Sequence, residues 1–113
     1  MSSPMTLMTF KQAERITRVE RETYADRQWL AQANTRGERS ANEIYAEAHA
    51  WWDRARAIVD AAVETWESSC AYSDALDEEP FNGRLCAELC RKWQASEKKL
   101  RALERGLESE VQP

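Results

Sequence analysis

The chain has 113 residues, a formal net charge of −4, three Gly, three Pro and three Cys. A chain of this length holds one modest core, and few Gly or Pro beside abundant Ala, Glu, Arg and Leu favour helix over sheet. No apolar run approaches the ~20 residues that span a bilayer, and a net acidic chain is not expected to bind nucleic acid.

In chain order, Met1–Phe10 has neither the charged nor the apolar region of a signal peptide. Residues 1–8 are expected to be flexible or loosely packed, with residues 4–8 turned against the end of the fold. Thr9 and Gln12 form a capping box, with Met8 and Ala13 placed as a hydrophobic staple. A first helix is predicted over residues 10–34. Its apolar face is thin: Phe10, Ala13, Ile16, Val19 and Leu30, with Tyr24 and Trp29 beside it. Gly37 can take the left-handed conformation after a helix, and Ser40 with Glu43 caps the next one.

The second helix, predicted over residues 41–75, organises the chain. Ala41, Ala48, Ala55 and Ala62 recur every seven residues, interleaved with Ile44, Trp51 and Ile58. A second stripe runs through Tyr45, Trp52, Val59, Val63, Trp66 and Cys70. Two apolar stripes on one helix call for two neighbours. Asp77-Glu78-Glu79-Pro80 ends the helix, and Asn82 caps a third, predicted over residues 84–107. Its seam is Cys86, Leu89, Trp93, Ser96, Leu100, Leu103 and Leu107. Residues 108–113 are expected to fray.

The fold expected is a single all-α domain, an antiparallel three-helix bundle with a long central helix and coiled-coil-like packing. Short links make sequential helices antiparallel. Turns centred near Gly37 and Pro80 set Leu30 level with Ile44, Ile16 with Ile58, Trp66 with Trp93 and Cys70 with Cys90. Charge agrees. Residues 40–80 hold ten acidic and two basic side chains, whereas 1–39 and 81–113 each hold seven basic and five acidic.

No spacing of residue types carries catalytic chemistry: there is no phosphate loop, nucleophile elbow or paired carboxylate. No enzyme activity and no cofactor are expected. His49 is the only histidine and lacks a nucleophile to serve. Lys11, Arg15 and Arg18 form a basic stripe that reads as a solvated face. Cys70, Cys86 and Cys90 share a level, so a thiol-based metal or redox sensor is one alternative, but a fourth ligand is missing. Packing thiols in a cytoplasmic protein are the plainer reading.

Five Trp in a chain this short exceed what a small core uses. The third helix should fade level with Trp52, leaving the second helix only one neighbour beyond it. Trp29, Tyr45, His49 and Trp52 then form an aromatic patch suited to a protein interface, where an Ala change should weaken binding with little effect on stability. The function expected is a non-enzymatic protein-binding module of adaptor or inhibitor type, as in a phage-like or bacterial accessory protein. It would act by helical-surface contact with a larger protein. The alternative is a self-assembling subunit, a homo-oligomer.

Overall fold

The computed structural model describes residues 7–33, 37 and 39–106. Among these the chain is all-helical, with no strand: α1 (Phe10–Ile16), α2 (Arg21–Ala31), α3 (Ala41–Leu76) and α4 (Gly83–Arg105). No described helix is long and apolar enough to cross a membrane. Residues 1–6, 34–36 and 107–113, which hold the ends of several expected elements and Leu107 of the third seam, lie outside the described residues.

Each start follows from a local donor problem, since the first N–H groups of a helix have no partner within it. At α1 the Thr9 side chain accepts from the Gln12 N–H, and the Gln12 side chain accepts from the Thr9 N–H at 2.9 Å. Met8 is fully buried in one cluster with Ala13, as a staple requires. It is therefore part of the core, which corrects the expectation of a loosely packed stretch through residue 8. Ser40 Oγ accepts from the Glu43 N–H at 3.1 Å to start α3. Asn82 Oδ1 accepts from the Leu85 N–H at 3.1 Å to start α4. Gly37 has φ +57°, the left-handed value expected of it.

The single helix expected over residues 10–34 is two helices. The chain breaks over residues 17–20, where no Gly or Pro stands. The Ala13 carbonyl at the end of α1 accepts from both the N–H and the hydroxyl of Thr17, at 3.0 and 2.9 Å, and the hydroxyl also lies 3.3 Å from the Glu14 carbonyl. Glu20 is extended (ψ 156°) and α2 restarts behind it. The cause is tertiary: among the described residues α1 lies at the end of α4, whereas α2 runs past that end and packs mainly on α3. The break also rotates α2. Ala25 is its buried residue, and Leu30, expected against Ile44, is 70% exposed.

The core sits where three segments meet. Met8, Ala13, Ala55, Ile58, Ala61 and Leu103 are buried together, with Phe10, Ile16, Trp51, Val59 and Leu100 packed around them. Arg54 Nε donates to the Leu103 carbonyl at 3.1 Å and its Nη2 to the Glu104 carbonyl at 2.7 Å, which ties the last turn of α4 to α3. Glu104 in turn holds α1. Its carbonyl accepts from the Met8 N–H at 2.8 Å and its carboxylate from the Phe10 N–H at 3.0 Å.

The rest of the molecule is thinner. The 36 residues of α3 are about 54 Å long at the α-helical rise. Only its middle is flanked on both sides: α2 lies beside the first half and α4 beside the second. The extents are 65 × 26 × 16 Å, and the radius of gyration of 18.5 Å exceeds the roughly 13 Å of a compact chain this size.

Along the second half, α3 meets α4 through small residues every seven positions: Ala61, Ser68 and Ala75, all buried, opposite Cys86 and Ser96. Such residues let the helix backbones approach. The buried Ser96 hydroxyl is satisfied by the Lys92 carbonyl at 3.0 Å.

Candidate functional site

Three side-chain groups are candidates. The first is the aromatic patch, and the structure does bring Trp29, Tyr45, His49 and Trp52 together, all half-buried between α2 and α3. Trp29 and Tyr45 rings lie 6.2 Å apart, and Tyr45 meets His49 edge-on at 6.2 Å. The Tyr45 hydroxyl donates to Asp26 at 2.6 Å, and this bond, more than burial, holds its pKa above the ordinary phenol value. Trp52 Nε1–H donates to the Val19 carbonyl at 3.0 Å. His49 Nε2 lies 2.9 Å from Glu22 Oε1, but out of line for a hydrogen bond, so this is a charge contact that exists only with a protonated ring. The patch is thus the seam that docks α2.

The second group is the thiols. Tyr72 stacks on Trp93 at 5.9 Å and 28°. Its pKa is raised, first by charge on Cys90, then by burial, a hydrogen bond with Cys90 and charge on Cys86. Cys86 and Cys90 therefore share one small cluster with Tyr72. Cys70 does not join them. It stands two residues before Tyr72, so its side chain leaves α3 some 160° away around the helix. The hairpin register speaks to level along the helices and not to the face from which a side chain leaves. Among the described residues no three His, Cys, Asp or Glu side chains gather closely enough to hold a metal ion. All three thiols are unpaired.

The third group went unmarked as a site in the sequence. The stripe Tyr45, Trp52, Val59, Val63, Trp66, Cys70 meets α2 at Tyr45 and the link before α2 at Trp52, and reaches the core through Val59. Beyond that no described helix covers it. Val63 is 50% exposed and Trp66 69% exposed. Trp66 was expected against Trp93, but Tyr72 takes that place, because the α4-facing column of α3 runs through Ala61, Ser68, Tyr72 and Ala75. Leu76 and Phe81 extend the exposed apolar surface to the far end.

Comparison with protein-family models, curated proteins and solved structures finds no match.

Carboxylates run beside the stripe. Asp53, Asp60, Glu67 and Asp74 recur every seven residues and so form one column on α3. Asp53, in the covered half, is gripped by Arg21 of α2 through two bonds of 2.9 and 3.1 Å. That hydrogen bond is the first cause of a raised Arg21 pKa. In the uncovered half Asp60 meets only Arg56 of its own helix, at 3.3 Å. A depression of about 440 Å³ on the outer face of α4 is lined by Trp93, Gln94, Glu97, Lys98, Arg101 and Arg105. All six of these described residues belong to α4.

Proposed function

We propose that this chain is a non-enzymatic protein-binding module of adaptor or inhibitor type, acting through a helical surface on a larger protein. The architecture behind it is an antiparallel three-segment bundle. The broken α1–α2 segment and α4 are the outer members, and α3 is the long centre. A cytoplasmic setting suits the three unpaired thiols.

The observation that carries the reading is the half-covered stripe. A Trp 69% exposed in the second half of a continuous helix, with Val63 beside it, is the kind of rigid aromatic anchor that dominates interface energetics.

A photo-crosslinking amino acid at position 66 tests this in the full chain in cells. The expected result is an adduct of one mass with another protein, missing when the probe sits at exposed Glu88 on α4. Equal adducts at both positions would end the reading. A self-assembling subunit is the second reading. It is favoured by Arg84, Arg91, Lys98 and Arg105, cations spaced every seven residues along α4 as the acids are along α3. An adduct of twice the chain mass would select it.

A further inference from the structure

The geometry points to one kind of occupant for the uncovered half of the stripe: a cationic amphipathic helix of a partner protein, laid on α3 as α2 is laid on the covered half. This rests on the contact-surface reading above and adds the partner's chemistry to it.

Continuity comes first. The stripe runs from Tyr45 to Cys70, and α2 lies along its first part: Tyr45 bonds to Asp26 of α2, and Trp52 bonds to Val19 just before α2 begins. The same periodicity continues below, so the same shape fits there. The open stretch from Val59 to Asp74 is roughly 22 Å long, the length of a helix of about 15 residues.

Charge selects the partner. Between Arg56 and Arg84 lie seven acidic side chains and no basic one; Glu64 faces α4, where it meets Lys99, and Asp60, Glu67 and Asp74 run beside the stripe. Glu67 and Asp74 stand in the column whose first member, Asp53, takes a two-pronged bond from Arg21. The covered half is thus a template. A helix seated below should present an apolar or small-residue face with Arg or Lys spaced every seven residues along one edge.

A second copy fits less well. Antiparallel pairing of two α3 stripes would bring Glu67 near its own copy and Asp60 near Asp74, all of one sign. The cations of α4 lie mostly among Ala87, Glu88, Gln94 and Ala95, and the one large apolar side chain near Lys98 and Arg105, Trp93, is already stacked on Tyr72.

The test titrates the full chain with a synthetic amphipathic peptide of about 18 residues, Leu and Ala on one face and Arg every seventh residue. Controls are the same peptide with Glu for Arg and a scrambled peptide of identical composition. Calorimetry gives affinity, and circular dichroism gives helix formation. The Arg peptide should bind and gain helix, and both E67K/D74K and Trp66→Ser should weaken it about tenfold or more. The Glu peptide should bind about tenfold more weakly or not at all. If the Glu peptide binds as well while Trp66→Ser still abolishes binding, the charge assignment falls and the contact surface stands. If Trp66→Ser changes nothing, both fall. Equal binding of the scrambled peptide means diffuse attraction and overturns the seat. A chain that sediments as a dimer, and as a monomer when Trp66 is Ser, has its own copy as occupant.

Discussion

The indole N–H of Trp52 on α3 donates to the backbone carbonyl of Val19, 3.0 Å away, at the point where the chain steps from α1 to α2. A helix break frees carbonyls, and a part-buried one without a donor is costly. Trp52→Phe keeps most of the ring and removes only the donor, so it should destabilise the chain by about 1–2 kcal/mol in denaturant titration. Trp52→Ala should cost more, because the seam under α2 empties as well. An unchanged midpoint in both variants would mean that α2 docks without this bond.

Met8 is fully buried although it lies close to the start of the chain. It closes the core against Ala13, Ala55, Ile58 and Leu103, and its N–H bonds to Glu104. Met8→Ala should cost about 2–5 kcal/mol, the range for emptying a large buried side chain. Met8→Leu, which conserves volume, should cost less than about 1.5 kcal/mol. Equal effects of the two would place Met8 outside the core.

Arg54 joins two of the three segments at the core. It caps α4 through the Leu103 and Glu104 carbonyls, and its guanidinium stands 5.2 Å from the Trp51 ring centre. Arg54→Lys keeps the charge but cannot reproduce the planar fork, so it should recover only part of what Arg54→Ala loses. The loss expected for Ala is about 1.5–3 kcal/mol, as for hydrogen bonds to a charged donor. Amide exchange should rise first over residues 100–105. Exchange rising evenly along α4 would mean that the cap is not what holds its end.

How much of this was legible in the sequence differs by element. The start and end of α3 follow from Ser40 and from the acidic run before Pro80, and its two stripes follow from seven-residue periodicity. The capping box at Thr9 follows from two residues. The break at residues 17–20 does not, because Ile16-Thr17-Arg18-Val19-Glu20-Arg21 holds no breaker. The change of neighbours past the end of α4 decides it. The turn centred near Pro80 sets Cys70 level with Cys90 but does not say which way around α3 its side chain leaves. Trp66 reads as core for a related reason: a stripe shows which face is apolar, not how far along it a neighbour extends.

Tyr72 gives the clearest prediction in pH. Charge on Cys90 is the largest cause of its raised pKa, ahead of burial, the hydrogen bond with Cys90 and charge on Cys86. A phenol whose folded value lies above its unfolded one, about 10, favours the folded state fully below that unfolded value. The contribution is lost as pH rises through the folded value. Stability should therefore fall on the alkaline side, beyond the ordinary phenol range. Cys90→Ala removes the charge and the hydrogen bond together, so the Tyr72 phenolate should appear at lower pH in an ultraviolet titration. Tyr24, raised by burial alone, and Tyr45, raised first by its bond to Asp26, should not move. A titration curve unchanged by Cys90→Ala would separate Tyr72 from the thiols. A curve in which all three tyrosines shift would mean that the substitution has loosened the α3–α4 contact, which Cys90→Ser, close to the thiol in size, would then distinguish.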